Sequence, residues 1–158
     1  MIVDAQSVKN SDTAGFKGYD AGKKISGIKR HIAVDTLGLP HAISVTTANA
    51  TDRQGALAAL EHHKASLSGV QKVLVDAGYQ GAPFAQTAMA LLHSCSEVEV
   101  VRRDQMHTFA VLSKRWIVER SFAWLEKNRR LWKNCERWLN TSLQFVNLAF
   151  IAILLRRS

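Results

Sequence analysis

The chain has few of the residues that build covalent or metal-based frameworks. Its 158 residues include two cysteines, Cys95 and Cys135, which lie 40 positions apart with no CxxC pair and no histidines at zinc-ligand spacing. This pattern argues against a disulfide-rich secreted domain and against a zinc finger. We therefore expect free thiols and a cytoplasmic location.

Long apolar runs are also scarce. The longest, from Leu143 to Leu155, holds 13 residues and is interrupted by Gln144 and Asn147, whereas a membrane-spanning helix needs about 20. We expect a buried C-terminal helix here and no membrane partner. No signal peptide is expected, because Asp4 follows the first three residues at once.

Acidic residues become rare in the last third of the chain. Residues 1–101 carry nine basic and nine acidic side chains, so the net charge of +8 falls entirely in residues 102–158, with twelve Lys/Arg and four acids. A one-sided basic segment is typical of a protein that binds a polyanion. The alternative is a solvated helix face.

The remaining composition, 47% hydrophobic and 22% charged, is that of a globular protein, and the length fits one domain over residues 1–158. We expect an α/β fold with a mixed five-stranded sheet flanked by helices. The first three strands should be antiparallel, and a right-handed crossover should add the fourth strand in parallel. The predicted strands are 1–8, 29–34, 42–46, 70–75 and 98–101; the predicted helices start near 51, 83, 113 and 140 and end at 67, 92, 137 and 155, and residues 15–24 are a glycine-rich loop.

Three carboxylates stand beside apolar neighbours in these elements. Asp4 lies on the first predicted strand and Asp76 follows the end of the fourth; both precede alanine, and Glu119 lies on the third helix. If the two strands are parallel neighbours, both aspartates leave the sheet at one edge, where Glu119 can join them. Three such carboxylates would suit a pair of hard divalent cations that act on a phosphodiester. The alternatives are turn-forming aspartates and a surface Glu–Arg pair.

Tryptophan occurs at positions 116, 124, 132 and 138. Spacings of eight, eight and six place these rings roughly on one side of a helix, which favours core packing over nucleotide stacking.

Five ordered segments resemble bacterial insertion-sequence transposases of the DDE type, most closely the insertion-sequence-five type. They are residues 4–9 (DAQSVK), 18–24 (GYDAGKK), 29–39 (KRHIAVDTLGL), 76–81 (DAGYQG) and 116–125 (WIVERSFAWL). The resemblance implies an RNase H-like fold and DNA strand cleavage and transfer that depend on Mg²⁺, with Mn²⁺ as the alternative ion. It also implies Asp4, Asp76 and Glu119 as the metal-binding triad, transposon ends and target as double-stranded DNA partners, a homodimer as the active form, and a place at the bacterial nucleoid.

The match departs from the family at several positions. Arg115 fits an arginine that lies four residues before the glutamate, whereas the usual tyrosine and lysine positions hold Leu112 and Glu126, with Lys127 next to the latter. Full-length members carry an N-terminal helical DNA-binding region, which we expect to be missing here. A first strand that starts so close to Asp4 should also offer it few ladder hydrogen bonds.

The basic residues predicted to contact DNA phosphates are Lys23, Lys24, Arg115, Arg120, Lys127, Arg129, Arg130 and Lys133. Two further interpretations stay open. One is a truncated, non-catalytic remnant that binds DNA or the full-length transposase, and the other is a nuclease of the same fold that hydrolyses without joining.

Overall fold

The computed structural model describes residues 1–101 and 114–156. Leu112, and Ser113 at the predicted start of the third helix, lie outside these ranges. The strands are β1 (Ile2–Lys9), β2 (Gly18–Asp20), β3 (Ile25–Val34), β4 (Pro40–Thr47), β5 (Lys72–Asp76) and β6 (Glu97–Val101). The helices are α1 (Asp52–His63), α2 (Ala82–Leu91), α3 (Arg115–Glu126) and α4 (Leu139–Leu155), with short 3-10 turns at Lys64–Leu67, Ala77–Tyr79 and Arg129–Leu131.

The strands form one curled mixed sheet in the order β2-β3-β1-β5-β6. Strand β4 pairs with β3 on the edge that also holds β2, because Ile28 lies between Val8 of β1 and Thr47 of β4. Strands β1, β3 and β4 are antiparallel, as predicted, whereas β5 joins β1 in parallel and β6 joins β5 in parallel.

The prediction of five strands is wrong by one. Gly18–Asp20, at the centre of the predicted loop, pairs antiparallel with Ile25–Gly27. The glycines of the predicted loop favoured an irregular segment on local grounds, but Gly27, beyond that loop, permits a close approach of strands that a side chain would block. A Cβ on Gly27 would lie 2.0 Å from the Val8 carbonyl oxygen. The extension of β3 is therefore set by tertiary contacts rather than by local propensity.

Strand β1 is firmly held, so the expected shortage of ladder bonds around Asp4 is wrong. All eight residues of β1 align with β3, and Asp4 aligns with Ile32. On the other edge, the Leu74 amide donates to the Met1 carbonyl at 2.8 Å. Asp4 thus lies on a paired strand interior rather than at a frayed end.

Alternation along the strands builds one core on each face of the sheet. Val3, Val73 and Val75 pack with α1 and α2 on one face, whereas Ile2 and Ile32 pack with α3 and α4 on the other face. Helix α1 starts with a capping box between Thr51 and Gln54.

Helix α3 ends at Glu126, so the predicted helix through Arg137 is wrong beyond that point. The Asn128 side-chain amide donates to the Trp124 and Leu125 carbonyls at 3.0 and 3.3 Å and so satisfies the end of the helix. Beyond it the chain docks on the sheet, where Arg30 Nη2 donates to the Leu131 carbonyl at 2.9 Å. Basic helix-forming residues gave no local sign of this break.

The prediction of core tryptophans is wrong for three of the four rings, and the early end of α3 accounts for two of them. The side chains of Trp116, Trp132 and Trp138 are 49%, 71% and 64% exposed. Trp132 and Trp138 belong to the segment between α3 and α4, so the four rings do not share one helix and the helical spacing argument does not apply.

Helix α4 buries one face, at Val146, Ala149 and Phe150, and leaves Leu148 and Ile151 exposed. Among the described residues, no helix is long and apolar enough to cross a membrane. Both cysteines are free thiols, as predicted.

Candidate active site

Asp4 and Asp76 lie on neighbouring parallel strands. Strands β1 and β5 pair with Ile2 aligned to Leu74, and the same offset continued by two residues brings Asp4 level with Asp76. Asp76 is the last residue of β5, so it stands where a ligand typically binds in an open α/β sheet, at the carboxyl end of a strand beside a change in chain direction.

Both aspartates project toward the α3 face of the sheet. Asp4 shares its side with Ile2, which packs against α3 and α4, and Asp76 shares its side with Leu74, which packs against the same cluster. The intervening residues, Val3 and Val75, face α1 and α2 instead. The two carboxylates therefore approach each other below the helix that carries Glu119.

Burial and mutual repulsion disfavour the charge on Asp4. Burial is the main cause that raises the pKa of Asp4 from 3.8 to about 6, and the negative charge of Asp76 raises it further. A hydrogen bond from the Ala5 amide to Asp4 Oδ1, at 2.7 Å, opposes this shift, as do the charges of Lys23 and Arg115. A cation bound between the two carboxylates would therefore stabilise the charged form of Asp4.

Asp76 is oriented by the turn that follows it. Its Oδ1 accepts the Gly78 amide at 2.9 Å and caps the 3-10 turn Ala77–Tyr79. Arg53 at the start of α1 donates from Nε to the Gly78 carbonyl at 3.1 Å, which places a cation beside this turn. The neighbours of Arg53 in the sequence do not indicate this role, because the packing of α1 brings Arg53 to the turn after Asp76.

Glu119 lies on the correct face but is paired with a cation. Its Oε1 is 2.7 Å from Arg115 Nη2, one helical turn earlier, and its side chain is 51% exposed. Among residues 1–101 and 114–156, no three His, Cys, Asp or Glu side chains are close enough to hold a metal ion together. The structure thus brings Asp4 and Asp76 together and leaves Glu119 apart from them.

A cleft of about 350 Å³ runs along the edge of β1 where β5 no longer covers it. Glu119, Phe122, Ala123 and Glu126 form its helical wall, Lys23 stands on the loop side, and Ala5, Gln6 and Ser7 complete the lining. Glu126, at the usual lysine position, accepts a 2.7 Å hydrogen bond from Gln6 Nε2. The cleft floor therefore starts at the residue directly after Asp4.

The basic residues predicted to bind DNA differ in their surroundings. Lys127 and Arg129 are exposed just beyond α3, and Lys133 is exposed with its ammonium 5.5 Å from the Trp132 ring centre. Others have intramolecular partners: Arg115 pairs with Glu119, and Arg130 pairs with Glu136 at 2.8 Å. Lys23 and Lys24 follow β2, and Lys23 lines the cleft.

Arg120 is held between two indole rings. Its guanidinium carbon lies 4.6 Å from the Trp116 ring centre and 4.8 Å from the Trp124 ring centre. Its Nη2 also donates to the Leu37 carbonyl at 2.8 Å. Arg120 therefore fixes α3 to the turn between β3 and β4. Its guanidinium is engaged by these contacts rather than available to a DNA phosphate.

We expect Arg120→Met to lower the free energy of unfolding by about 1–2 kcal/mol, because it removes two cation–π contacts and one charged hydrogen bond. The salt dependence of DNA binding should stay unchanged. Arg129→Met, at an exposed position, should leave the free energy of unfolding unchanged and reduce the salt dependence of DNA binding. Urea unfolding and DNA titrations at several salt concentrations measure the two effects, and equal loss of salt dependence in both variants would contradict the structural role of Arg120.

Comparison with known proteins identifies the family. The family model described as "Transposase DDE domain" matches residues 1–155. The chain belongs to this transposase family. A curated relative from Brucella ovis, named "Putative transposase for insertion sequence element IS6501", is 30% identical over 131 residues, which cover 81% of this chain and 98% of that protein. The prediction of a DDE insertion-sequence transposase is thereby confirmed.

Membership in the DDE transposase family assigns the chain to DNA transposition, with DNA as the partner on which such proteins act. The family generally uses divalent metal ions. The donor set at Asp4 and Asp76 suits such an ion, because carboxylate oxygens are preferred ligands of hard cations. Within the described ranges, no lysine or arginine forms an ion pair with either aspartate.

Proposed function

We propose that this transposase cleaves and transfers DNA strands at a Mg²⁺ site formed by Asp4, Asp76 and Glu119, on a domain of RNase H-like fold that spans residues 1–158. The observation that carries the proposal is the parallel pairing of β1 with β5, which brings Asp4 level with Asp76. The raised pKa of Asp4 supports it, since a buried carboxyl that is repelled by its neighbour is a favourable ligand for a cation.

Asp4 and Asp76 would hold the metal, which would supply Lewis-acid stabilisation of the phosphate and of the leaving oxygen. Glu119 would become the third ligand after exchanging its bond to Arg115 for the cation. Arg115, once released, would remain within the site as a charge for the DNA backbone. Helix α3 already lies over the correct face of the sheet, so this exchange needs a side-chain movement rather than a change of fold.

The duplex would lie across the cleft and the exposed basic residues beyond α3. Lys127, Arg129 and Lys133 are on the surface there, and each phosphate neutralised by such residues should contribute about −0.9 to the slope of log K against log salt. We propose a homodimer as the active form, with one protomer on each transposon end. Mn²⁺ should support the same reaction in place of Mg²⁺, because both ions accept oxygen ligands.

Mn²⁺ binding tests the metal site. We expect Asp76→Asn to weaken Mn²⁺ binding by about tenfold or more, because a neutral amide replaces one of the three proposed anionic ligands. Asp12→Asn is the matched control. Asp12 is exposed in the loop after β1, so this variant should bind Mn²⁺ as tightly as wild type. Calorimetric titration, or the loss of the free Mn²⁺ paramagnetic resonance signal, measures the affinity.

The same titration has a defined pH dependence. Asp4 must lose its proton to bind metal, and its pKa is about 6, so Mn²⁺ affinity should fall by about tenfold per pH unit below that value and level off above it. Equal affinity of wild type and Asp76→Asn, or a pH profile that is flat between about 4 and 7, would contradict the proposed site.

A further inference from the structure

A buried lysine lies behind the candidate site, on the α1 side of the sheet. Lys29 of β3 is 5% exposed. Its ammonium lies 2.7 Å from Asp52 Oδ1 and 3.1 Å from Asp20 Oδ2, and it donates to the Ala50 carbonyl at 2.8 Å. The ammonium is therefore surrounded by two carboxylates and one carbonyl oxygen. Lys29 therefore cannot contact DNA itself.

The two carboxylates that Lys29 pairs with also hold Lys23. Asp20 Oδ1 accepts the Lys23 amide at 3.0 Å, which fixes the main chain after β2. Asp52 Oδ2 lies 3.7 Å from the Lys23 ammonium. The ammonium also donates to the Ala5 carbonyl at 3.0 Å, directly after Asp4. Lys23 is thus placed at the mouth of the cleft, opposite Glu119.

The charges in this cluster balance. Two lysines face two aspartates, and Lys29 occupies the inner position at shorter distances than Lys23. Ser7 Oγ adds a 2.6 Å hydrogen bond to Asp20. Because Lys29 neutralises the buried side of the cluster, Lys23 keeps its side chain 42% exposed and retains donor capacity for a ligand in the cleft.

Removal of Lys29 would change this balance. Asp20 and Asp52 would then be left with one cation between them, and unpaired carboxylates in a poorly solvated position are costly. Lys23 is the nearest remaining ammonium on a flexible stem, and it lies within 3.7 Å of Asp52. It would turn inward to replace the missing charge and would leave the cleft.

We propose that Lys29 is a positioning residue for DNA binding, which holds Lys23 outward so that its ammonium meets a backbone phosphate in the cleft. This inference rests on the proposed function. It assigns a role to a residue that touches neither the metal ligands nor the substrate.

Duplex binding without metal provides the test. The full chain is titrated with a fluorescent duplex of arbitrary sequence in EDTA over a range of salt concentrations, so the readout is independent of cleavage. We expect Lys23→Met to reduce the magnitude of the log–log salt slope by about 0.9, one phosphate contact. Lys29→Met should reduce it by the same amount, and the double variant should lose no more than either single variant.

Three controls separate positioning from stability. Lys64→Met removes an exposed lysine that pairs with Glu61 in the same helical region and should leave the slope unchanged. Leu60→Ala, at a fully buried position in α1, should lower stability without changing the slope. Lys29→Arg should restore the slope because it keeps the inner charge. If Lys29→Met does not fold, Lys29→Gln carries the same expectation, since it keeps a donor near the Ala50 carbonyl.

The outcomes are distinct. A slope that changes in Lys23→Met but not in Lys29→Met or Lys29→Gln would overturn this inference alone. So would a double variant whose slope change is the sum of the two single changes, because Lys29 would then act independently of Lys23. Failure of the wild-type chain to bind duplex would overturn both this inference and the proposed function.

Discussion

Replacement of Asp4 by asparagine should make the fold more stable and remove metal-dependent DNA cleavage. The carboxyl is buried and its pKa is raised from 3.8 to about 6, so at neutral pH the native state bears the cost of keeping it ionised. Asparagine has nearly the same shape and no charge. We expect the free energy of unfolding at pH 8 to rise by about 1–3 kcal/mol.

Cleavage should respond in the opposite direction. Metal-ion stabilisation of a phosphoryl transition state is worth several kcal/mol, so loss of a ligand that anchors the ion should slow cleavage by about 10³-fold or more. A stable but inactive variant is typical of a residue that is retained for chemistry at the expense of stability. Urea unfolding and a labelled-duplex cleavage assay in Mg²⁺ measure the two effects.

The stability gain has a predictable pH dependence. An acid whose pKa is raised on folding binds more protons in the native state, so wild type loses stability as pH rises from about 4 to about 6. The advantage of Asp4→Asn should therefore be complete above pH 6 and vanish below pH 4. Burial lowers the pKa of His31 to about 4, which makes wild-type stability rise with pH over a similar range, but this contribution cancels between the two proteins.

Asp12→Asn serves as the control for this prediction too, since Asp12 is exposed and its loss should change neither stability nor cleavage. An Asp4→Asn variant that is less stable than wild type at pH 8 would show that the native carboxylate is stabilised, not strained. Full cleavage activity in the same variant would remove Asp4 from the proposed site.

Those parts of the site that depend on local pattern could be predicted from the sequence. An apolar strand that ends in an aspartate is visible around Asp76, and the alternation around Asp4 predicts a strand with one buried face. Their adjacency remained a condition at that point, because a crossover helix favours a parallel strand without specifying which strand it joins. The structure meets the condition, with Ile2 aligned to Leu74.

The charges around the aspartates could not be predicted in the same way. Lys29, Asp20 and Asp52 come from β3, β2 and α1, and each looks like an ordinary surface residue in its own segment. Arg120 illustrates the opposite case: a basic side chain predicted to face DNA is held between Trp116 and Trp124. Charge along a sequence gives the sign of a surface, whereas the partners of each charge depend on the fold.

The end of α3 was missed for a related reason. Residues 127–137 are mostly good helix formers, and propensity alone would continue the helix. The helix instead ends at Glu126, and the chain docks on β1 through Asn134, whose main-chain amide donates to the Lys9 carbonyl at 3.0 Å. Contacts between residues more than a hundred positions apart outweigh a few tenths of a kcal/mol of propensity per residue.

Asn134→Ala should accordingly be strongly destabilising. The side chain is 3% exposed. Its Nδ2 donates to Asn10 Oδ1 at 2.9 Å, and its Oδ1 accepts Ser142 Oγ at 2.6 Å and the Glu136 amide at 3.3 Å. One side-chain amide thus joins the residue directly after β1, the segment after α3 and helix α4.

Alanine would keep the main-chain bond to Lys9 and leave the Asn10 and Ser142 side-chain groups without this partner, and unsatisfied buried groups cost about 1–3 kcal/mol each. We expect the free energy of unfolding to fall by about 2–4 kcal/mol in urea titrations. Asn147→Ala is the matched control, since that amide makes one long contact of 3.4 Å to Gln144 on α4, and its loss should cost less than about 0.5 kcal/mol. Equal losses in the two variants would mean that the segment after α3 is held to β1 by its main chain alone, and that the exposed cations it carries do not depend on Asn134 for their placement.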